Sequence, residues 1–176
     1  AIVRRTPVPA YFCPSRRPPT VLGDSRAAND YAGNGGLRLN GGGLSNWGDG
    51  LNGGVVVRGG VAPKVDFGSI TDGSSNTILA GEKALNPMDY DRFSTSDNEG
   101  YTCGWDWDII RWGDLLPCSD REANNADYRF GAAHPGGVNM VFVDGSVHFI
   151  QRNVDLDVYQ NAIQRDDGSA SNIFEE

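Results

Sequence analysis

The segment HPGGVNMVFVDGSVHF, residues 134–149, holds the residues of this chain whose types and spacing could do chemistry. It opens on His134, one of two histidines, and nine residues separate that imidazole from Asp144. Histidine titrates near neutral pH and ligates metals, so His134 with Glu82 and Asp144 could form a metal site or an acid-base group. We favour an architectural interpretation, in which the imidazole bonds backbone in the glycine-rich approach to a hairpin and Asp144-Gly145 forms its turn.

The common catalytic patterns are missing from the sequence. It contains no G-x-S-x-G nucleophile elbow, no G-x-x-x-x-G-K phosphate loop and no evident Cys-His pair. Glu82 with either Asp106 or Asp108 could supply a hydrolytic pair of acids, but two acids on different strands are expected by chance. We therefore expect a protein that is not an enzyme.

Metal and cofactor sites are likewise not expected from the pattern. Three cysteines and two histidines form no C-x-x-C, H-E-x-x-H or zinc-finger spacing. Calcium is the open alternative, because four aspartates lie among glycines that would let carbonyls turn inward: Asp24, Asp30, Asp49 and Asp72. No D-x-[DN]-x-[DN]-G loop is present, and scattered aspartates usually only solubilise a surface. The sequence thus predicts no cofactor.

The cysteines bear on the compartment. Cys103 and Cys118 enclose a loop short enough for a disulfide, which would suit an extracellular or periplasmic setting, and free thiols are the alternative. Cys13 has no evident partner in the chain. A partner in sequence outside these residues is one explanation.

Composition limits the classes of protein and partner. The 176 residues suit a single domain with one core, and 24 glycines and 9 prolines favour a loop-rich, β-leaning fold. The formal charge of -8 repels phosphate backbones and anionic lipid, so we expect no nucleic-acid partner. No stretch is apolar for long enough to span a membrane, and we expect no membrane contact by these residues.

Several segments must position the candidate residues. Residues 1–22 are rich in proline and predict an extended lead-in, while Tyr31 to Gly54 is so rich in glycine that it predicts a long surface loop. Residues 78–80 predict an interior strand that Glu82 closes. Alternation in YTCGWDWDIIRW, residues 101–112, predicts a half-buried strand with Trp105 and Trp107 facing the core.

The clearest predicted element is a hairpin of residues 138–143 and 146–150. A two-residue Asp144-Gly145 loop favours a type I′ turn, which opposes Phe142 to Val147 and Met140 to Phe149 on one apolar inner face. A short helix with one apolar face follows, capped by Asn153 or Asp155 and ended by Gly168. Residues 169–176 read as a loose acidic tail.

Four blocks of sequence then occur in one order: PVPAYFCPS, NDYAGNGG, ITDGSSNTILAGE and RFGAAHPGGVNMVFVDGSVHFI. Together they resemble the family with a prepilin-type processing-associated H-X9-DG domain, also called DUF1559 and abundant in planctomycetes. The family motif falls here on His134, Asp144, Gly145, Asp72, Gly73, Asn76 and Glu82. We expect these motif residues to be structural.

The resemblance implies a type IV pilin-like or pseudopilin-like architecture. Such proteins have a long N-terminal helix, apolar at its start, that carries a globular head built on an antiparallel sheet. Residues 1–176 would be that head alone, an α+β, β-rich and loop-rich domain with a short C-terminal helix and without the pilin helix. A cysteine near the end of that helix could then partner Cys13.

The implied function is a non-catalytic, secreted or cell-surface subunit of a pilus or type II secretion assembly. Its partners would be other protein subunits, and its location the cell envelope or the outside of the cell. The alternative is an extracellular carbohydrate-binding or adhesion module. In that case exposed tryptophans, Trp47 above all, would stack on sugar rings beside the glycine-rich loop.

Overall fold

A five-stranded sheet forms the centre of the computed structural model, which describes residues 2–23, 25–38, 50–60, 63–124, 127–169 and 173–174. Its strands, in spatial order, are β5 (Ile110–Arg111), β3 (Tyr31–Asn34), β4 (Ile78–Glu82), β8 (Gly137–Phe142) and β9 (Val147–Gln151). All neighbours are antiparallel except β5, which runs parallel to β3. The prediction of an antiparallel β-rich sheet is confirmed, with this one parallel pair at its edge.

Two small sheets and one helix complete the architecture of the described residues. The small sheets pair β1 (Val21–Leu22) with β2 (Arg26–Ala27) and β6 (Cys118–Ser119) with β7 (Gly131–Ala132). The helix α1 (Leu156–Ile163) follows the main sheet in the chain. Short 3₁₀ turns lie at Val3–Arg5, Pro9–Tyr11, Phe67–Ser69, Pro87–Asp89 and Asp120–Glu122. The α+β class is therefore confirmed.

The hairpin exists where the sequence placed it, but its turn and register differ from the prediction. Val141 opposes Val147 and Met140 opposes His148. The Gly145 N–H donates to the Phe142 carbonyl, and the Phe142 N–H donates to the Ser146 carbonyl. This is a three-residue loop with Gly145 in the left-handed region at φ 86°, not a two-residue type I′ turn.

That difference of one residue reverses which side of β9 faces the core. Met140 and Phe142 are buried as predicted, whereas Val147 and Phe149 are 66% and 50% exposed. Ile150 takes their place and is buried. A slip of one position moves every side chain of a strand to the opposite face, which is why a wrong turn type gave a wrong inner face.

The main core lies on the inner face of the sheet, between the sheet and α1. Its buried members are Ile78, Phe130, Ala132, Val138, Met140, Phe142, Ile150, Tyr159, Ala162 and Ile163. Asp155 caps α1 by accepting from the N–H groups of Asp157 and Val158, as predicted. The helix ends at Ile163, before Gly168, because Gln164 is already extended.

The structure corrects two predictions, the glycine-rich surface loop and the strand over residues 101–112. The predicted glycine-rich loop begins with β3, which lies inside the sheet because it pairs with β4 on one side and β5 on the other. Gly33 there lets a Val56 methyl come within 2.7 Å of the position that a Cβ would occupy. Residues 39–49 of the predicted loop lie outside the described residues. The strand predicted over residues 101–112 is reduced to β5, since turns fill residues 101–109. Asp108 holds that turn region by accepting three backbone N–H groups.

The lead-in packs on the body of the domain, and two residues of the predicted tail pack there as well. In the lead-in, Phe12 and Cys13 are buried. In the predicted tail, Ile173 packs against the main core and the Phe174 ring lies 5.4 Å from that of Phe142. No helix among the described residues is both long enough and apolar enough to cross a bilayer.

Candidate functional site

Three side chains from distant parts of the chain converge where β4 ends and β8 begins. Cys13 Sγ lies 3.5 Å from His134 Nε2, and that same nitrogen lies 3.1 Å from Glu82 Oε1. All three donor atoms fall within 4.8 Å of one another. Among the residues that the structure describes, no other group of three histidine, cysteine or acidic side chains converges in this way. We call these residues the Cys-Glu-His cluster.

A tight turn and a buried aspartate hold Cys13. The Arg16 N–H donates to the Cys13 carbonyl, which closes the turn that contains Pro14. On the other side, the Cys13 N–H donates to Asp30 Oδ2 at 2.8 Å, and Asp30 is fully buried. Hydrogen bonds at both its N–H and its carbonyl therefore hold the backbone of Cys13 in place.

Glu82 is the last residue of β4, and its carboxylate is almost completely buried. Its Oε2 accepts from both the backbone N–H and the side-chain amide of Asn139, at 2.9 and 3.2 Å. These two bonds fix the orientation of the carboxylate. Oε1 is thereby directed at the imidazole of His134.

His134 lies in the bend that leads into β8. The guanidinium of Arg152 donates to the His134 carbonyl at 2.9 Å, and the Arg152 N–H donates to the carbonyl of Gly136, which adopts φ 81°. The imidazole is the most open of the three groups, with 22% of its side chain exposed. The cluster therefore reaches solvent on the histidine side.

The geometry of the cluster is not that of a catalytic relay. In a nucleophile–histidine–acid relay the nucleophile and the acid contact different ring nitrogens, whereas here both contact Nε2. Burial raises the pKa of the Cys13 thiol, and its hydrogen bond with Glu82 raises that pKa further. A thiol with a raised pKa is not an activated nucleophile. The arrangement instead brings three possible metal-ligand atoms, one from each side chain, close together.

Of the three residues considered for a metal or acid-base site, Glu82 and His134 are in contact. Asp144 lies at the far end of β8, where its carboxylate accepts from the Ser146 N–H and hydroxyl, so the prediction that it forms the turn is correct. Asp72 accepts from the N–H groups of Asp167 and Gly168.

The turn predicted at Asp72 and Gly73 is present. The Asn76 amide donates to the Asp72 carbonyl, and Gly73 adopts φ 101°. Both residues thus organise backbone, as expected for structural motif positions.

The calcium candidates do not form a common site where they can be located. Asp30 accepts from Arg17 and from the Cys13 N–H, and Asp72 from two backbone groups, so both carboxylates already have partners. Asp24 and Asp49 lie outside the described residues.

The acids considered for hydrolysis also have other hydrogen-bond partners. Glu82 bonds to Asn139 and His134, whereas Asp108 accepts from the N–H groups of residues 98–100.

The tryptophans agree with the prediction that Trp105 and Trp107 face the core, and the cysteines take one of the two alternatives that the sequence left open. Trp107 and Trp112 are buried and Trp105 packs against them, so these three form no exposed row for a sugar, while Trp47 lies outside the described residues. Cys103 and Cys118 are both free thiols, which means that the predicted disulfide is not present. Burial raises the pKa of each to about 12.

Cys13 is the member of the cluster that the sequence reasoning missed. It stands 121 positions before His134, so no local spacing connects them. The sequence nevertheless contains a signal that connects Cys13 to the other two residues. Cys13, Glu82 and His134 each lie in one of the blocks PVPAYFCPS, ITDGSSNTILAGE and RFGAAHPGGVNMVFVDGSVHFI. Blocks that recur together are candidates for contact in the fold.

Fold and site together define a β-rich α+β domain in which a cysteine, a glutamate and a histidine tie the lead-in segment to the central sheet. The chain belongs to the family described as a protein of unknown function, DUF1559, which matches residues 1–157. Neither a curated protein nor a solved structure shows a significant match to it.

Proposed function

We propose that this protein is a non-catalytic structural or assembly subunit of a pilin-like system, located in the cell envelope or outside the cell. The observation that carries the proposal is the outer face of the main sheet, on the side opposite the core. Its members come from four strands and share one side by register: Tyr31, Gly33, Ala80, Glu82, Asn139, Val141, Val147 and Phe149.

Glu82 and Asn139 bond to each other between Tyr31 and Phe149, and the other members of the outer face are apolar and partly uncovered. Tyr31, Val147 and Phe149 expose 38%, 66% and 50% of their surface. A soluble sheet normally places polar side chains on its solvated face, and contiguous exposed apolar residues mark a contact surface. A protein partner fits this face better than nucleic acid or anionic lipid, because the chain carries a formal charge of -8.

The lead-in segment supports a helix as the occupant of the outer face. Tyr11 packs edge-on against Tyr101 at 5.2 Å, and the Tyr101 hydroxyl donates to the carbonyls of Val3 and Thr6. Tyr11, Tyr31 and Tyr101 line one groove together with Gly33 and Ala80. An apolar helix that precedes the lead-in, which the pilin resemblance implies, would end beside that groove and cover the face.

The non-catalytic part of the proposal has separate support. The histidine of the Cys-Glu-His cluster contacts its two neighbours through one nitrogen, so it cannot pass a proton between them in the manner of a relay. The described aspartates proposed for hydrolysis bond to backbone groups instead.

The experiment is to express the product of the whole gene, including any coding sequence upstream of Ala1, and to image its assemblies by electron microscopy. The double variant Val147→Ser, Phe149→Ser should lose assembly, whereas the matched variant Met88→Ser, at a 68% exposed site in a 3₁₀ turn, should assemble normally. Circular dichroism would establish that both variants fold. Normal assembly by the folded double variant would contradict the proposal.

A further inference from the structure

We propose that Cys13, Glu82 and His134 form a binding site for a divalent transition-metal ion of the zinc class. The residues lie on three separate segments, and each is fixed by neighbours other than the cluster itself. Glu82 also lies on the outer face, but metal binding does not require the assembly role proposed above. The ion would clamp the lead-in segment onto the end of β4.

The separations between donor atoms agree with a tetrahedral ion. Zinc distances of about 2.3 Å to sulfur, about 2.05 Å to nitrogen and about 2.1 Å to oxygen put sulfur and nitrogen about 3.6 Å apart, and nitrogen and oxygen about 3.4 Å apart. The observed separations are 3.5 Å for Cys13 Sγ to His134 Nε2 and 3.1 Å for His134 Nε2 to Glu82 Oε1. Shifts of a few tenths of an ångström would therefore suffice.

The donor chemistry selects the class of ion. A thiolate and an imidazole are preferred by zinc and its neighbours, whereas calcium and magnesium take oxygen ligands. On binding, the ion replaces the thiol proton of Cys13, which leaves to solvent. One thiolate and one carboxylate then balance the charge of a divalent ion, so that the loaded site carries no net charge in a largely buried position.

The supporting contacts resemble those that orient metal ligands. Asn139 holds the second oxygen of Glu82 with two hydrogen bonds, and Asp30 holds the backbone of Cys13. Such contacts reduce the ordering that a ligand must undergo on binding. Three protein donors leave one tetrahedral position, which would lie toward the exposed imidazole side and be filled by water.

The test uses the untagged chain and titrates it with Zn²⁺ by calorimetry and with Co²⁺ by absorption. Wild type should bind one Zn²⁺ per chain, and Co²⁺ should give a thiolate-to-cobalt charge-transfer band. Cys13→Ser should abolish that band, and Glu82→Gln and His134→Asn should each weaken Zn²⁺ binding more than about 100-fold, beyond the loss expected from a supporting residue. Cys103→Ser and His148→Asn are the matched controls. They should change neither the cobalt charge-transfer band nor the affinity for Zn²⁺.

Asn139→Ala keeps all three donors and removes one supporting bond, so its Zn²⁺ affinity should fall about 10-fold. If a ligand variant fails to fold, the double variant Cys103→Ser, Cys118→Ser decides the question, since Cys13 is then the only cysteine and the charge-transfer band requires a bound thiolate. The proposal is overturned if wild type shows no such band. It is equally overturned if the band survives Cys13→Ser and disappears in Cys103→Ser.

Discussion

The ammonium of Lys83 lies 2.8 Å from the carboxylate of Asp97, and both side chains are fully buried. Arg17 contacts the other oxygen of Asp97 at 2.7 Å and also pairs with Asp30. Lys83 follows Glu82 directly in the chain, and its side chain enters this ion network while Glu82 joins the cluster. The network thus connects the end of β4 to the lead-in that carries Cys13.

Replacing Lys83 should strongly destabilise the fold. Lys83→Met leaves Asp97 and the Asp108 carbonyl without their ammonium partner, and removing one member of a buried ion pair costs about 3–5 kcal/mol. Urea denaturation at neutral pH measures the free energy of unfolding. Arg92→Met is the control, because its pair with Asp91 is exposed and should contribute less than about 1 kcal/mol. An equal loss in the free energy of unfolding in the two variants would show that the buried network stabilises the fold no more than an exposed ion pair.

The same network predicts loss of stability in acid. Burial raises the pKa of the Asp97 carboxyl, but the charges of Lys83 and Arg17 outweigh that effect and hold the pKa below its ordinary value of 3.8. A carboxyl with a depressed folded-state pKa stabilises the fold above its unfolded-state pKa, and this contribution is lost as pH falls through the folded-state value. The urea midpoint should therefore decline below about pH 3.8.

Asp97→Asn gives the comparison for that acid dependence. The variant should be less stable at neutral pH, since it leaves the Lys83 ammonium without its paired carboxylate and leaves Arg17 with Asp30 alone. Its urea midpoint should fall less steeply in acid, because the titrating carboxyl is gone. A decline as steep as in wild type would assign the acid sensitivity to other carboxyls, such as Asp127.

Local patterns allowed much of the fold to be predicted. The apolar run ending at Glu82 gave β4, and Asp155 gave the start of α1, since both depend on residues a few positions apart. The pairing of strands that are far apart in the sequence was harder to predict. Nothing near Tyr31 indicates a strand between β4 and β5, because glycines at that position fit a loop equally well.

The candidate site was predictable only in part for the same reason. Glu82 and His134 were proposed together, with Asp144 as the third member, but the third donor is Cys13 from the lead-in. Charges such as Lys83 and Asp97 would ordinarily be assigned to the surface, and only their mutual pairing makes burial tolerable. Contacts between segments far apart in sequence decide both cases.

The register of the hairpin can be checked by truncating neighbouring side chains. Ile150→Ala should cost about 2–5 kcal/mol, because Ile150 is 2% exposed and packs in the main core. Phe149→Ala should cost much less despite removing more atoms, since half of that side chain is exposed. Chemical denaturation of the two variants gives both values. If Phe149→Ala costs more than Ile150→Ala, the hairpin has the register of the two-residue turn instead.

The turn itself can be tested at Gly145, whose positive φ of 86° is the conformation that the three-residue loop requires. Nothing lies within 4 Å of the position its Cβ would occupy, so Gly145→Ala adds no clash and reports backbone strain alone, about 1–2 kcal/mol. Gly59→Ala is the matched control, because that site is equally open and its φ lies outside the positive region. Alanine there should be neutral or stabilise the fold by up to about 1 kcal/mol through the unfolded chain. Because the two variants differ only in φ, a cost at Gly145 no larger than that at Gly59 would mean that the loop does not hold Gly145 in the left-handed region.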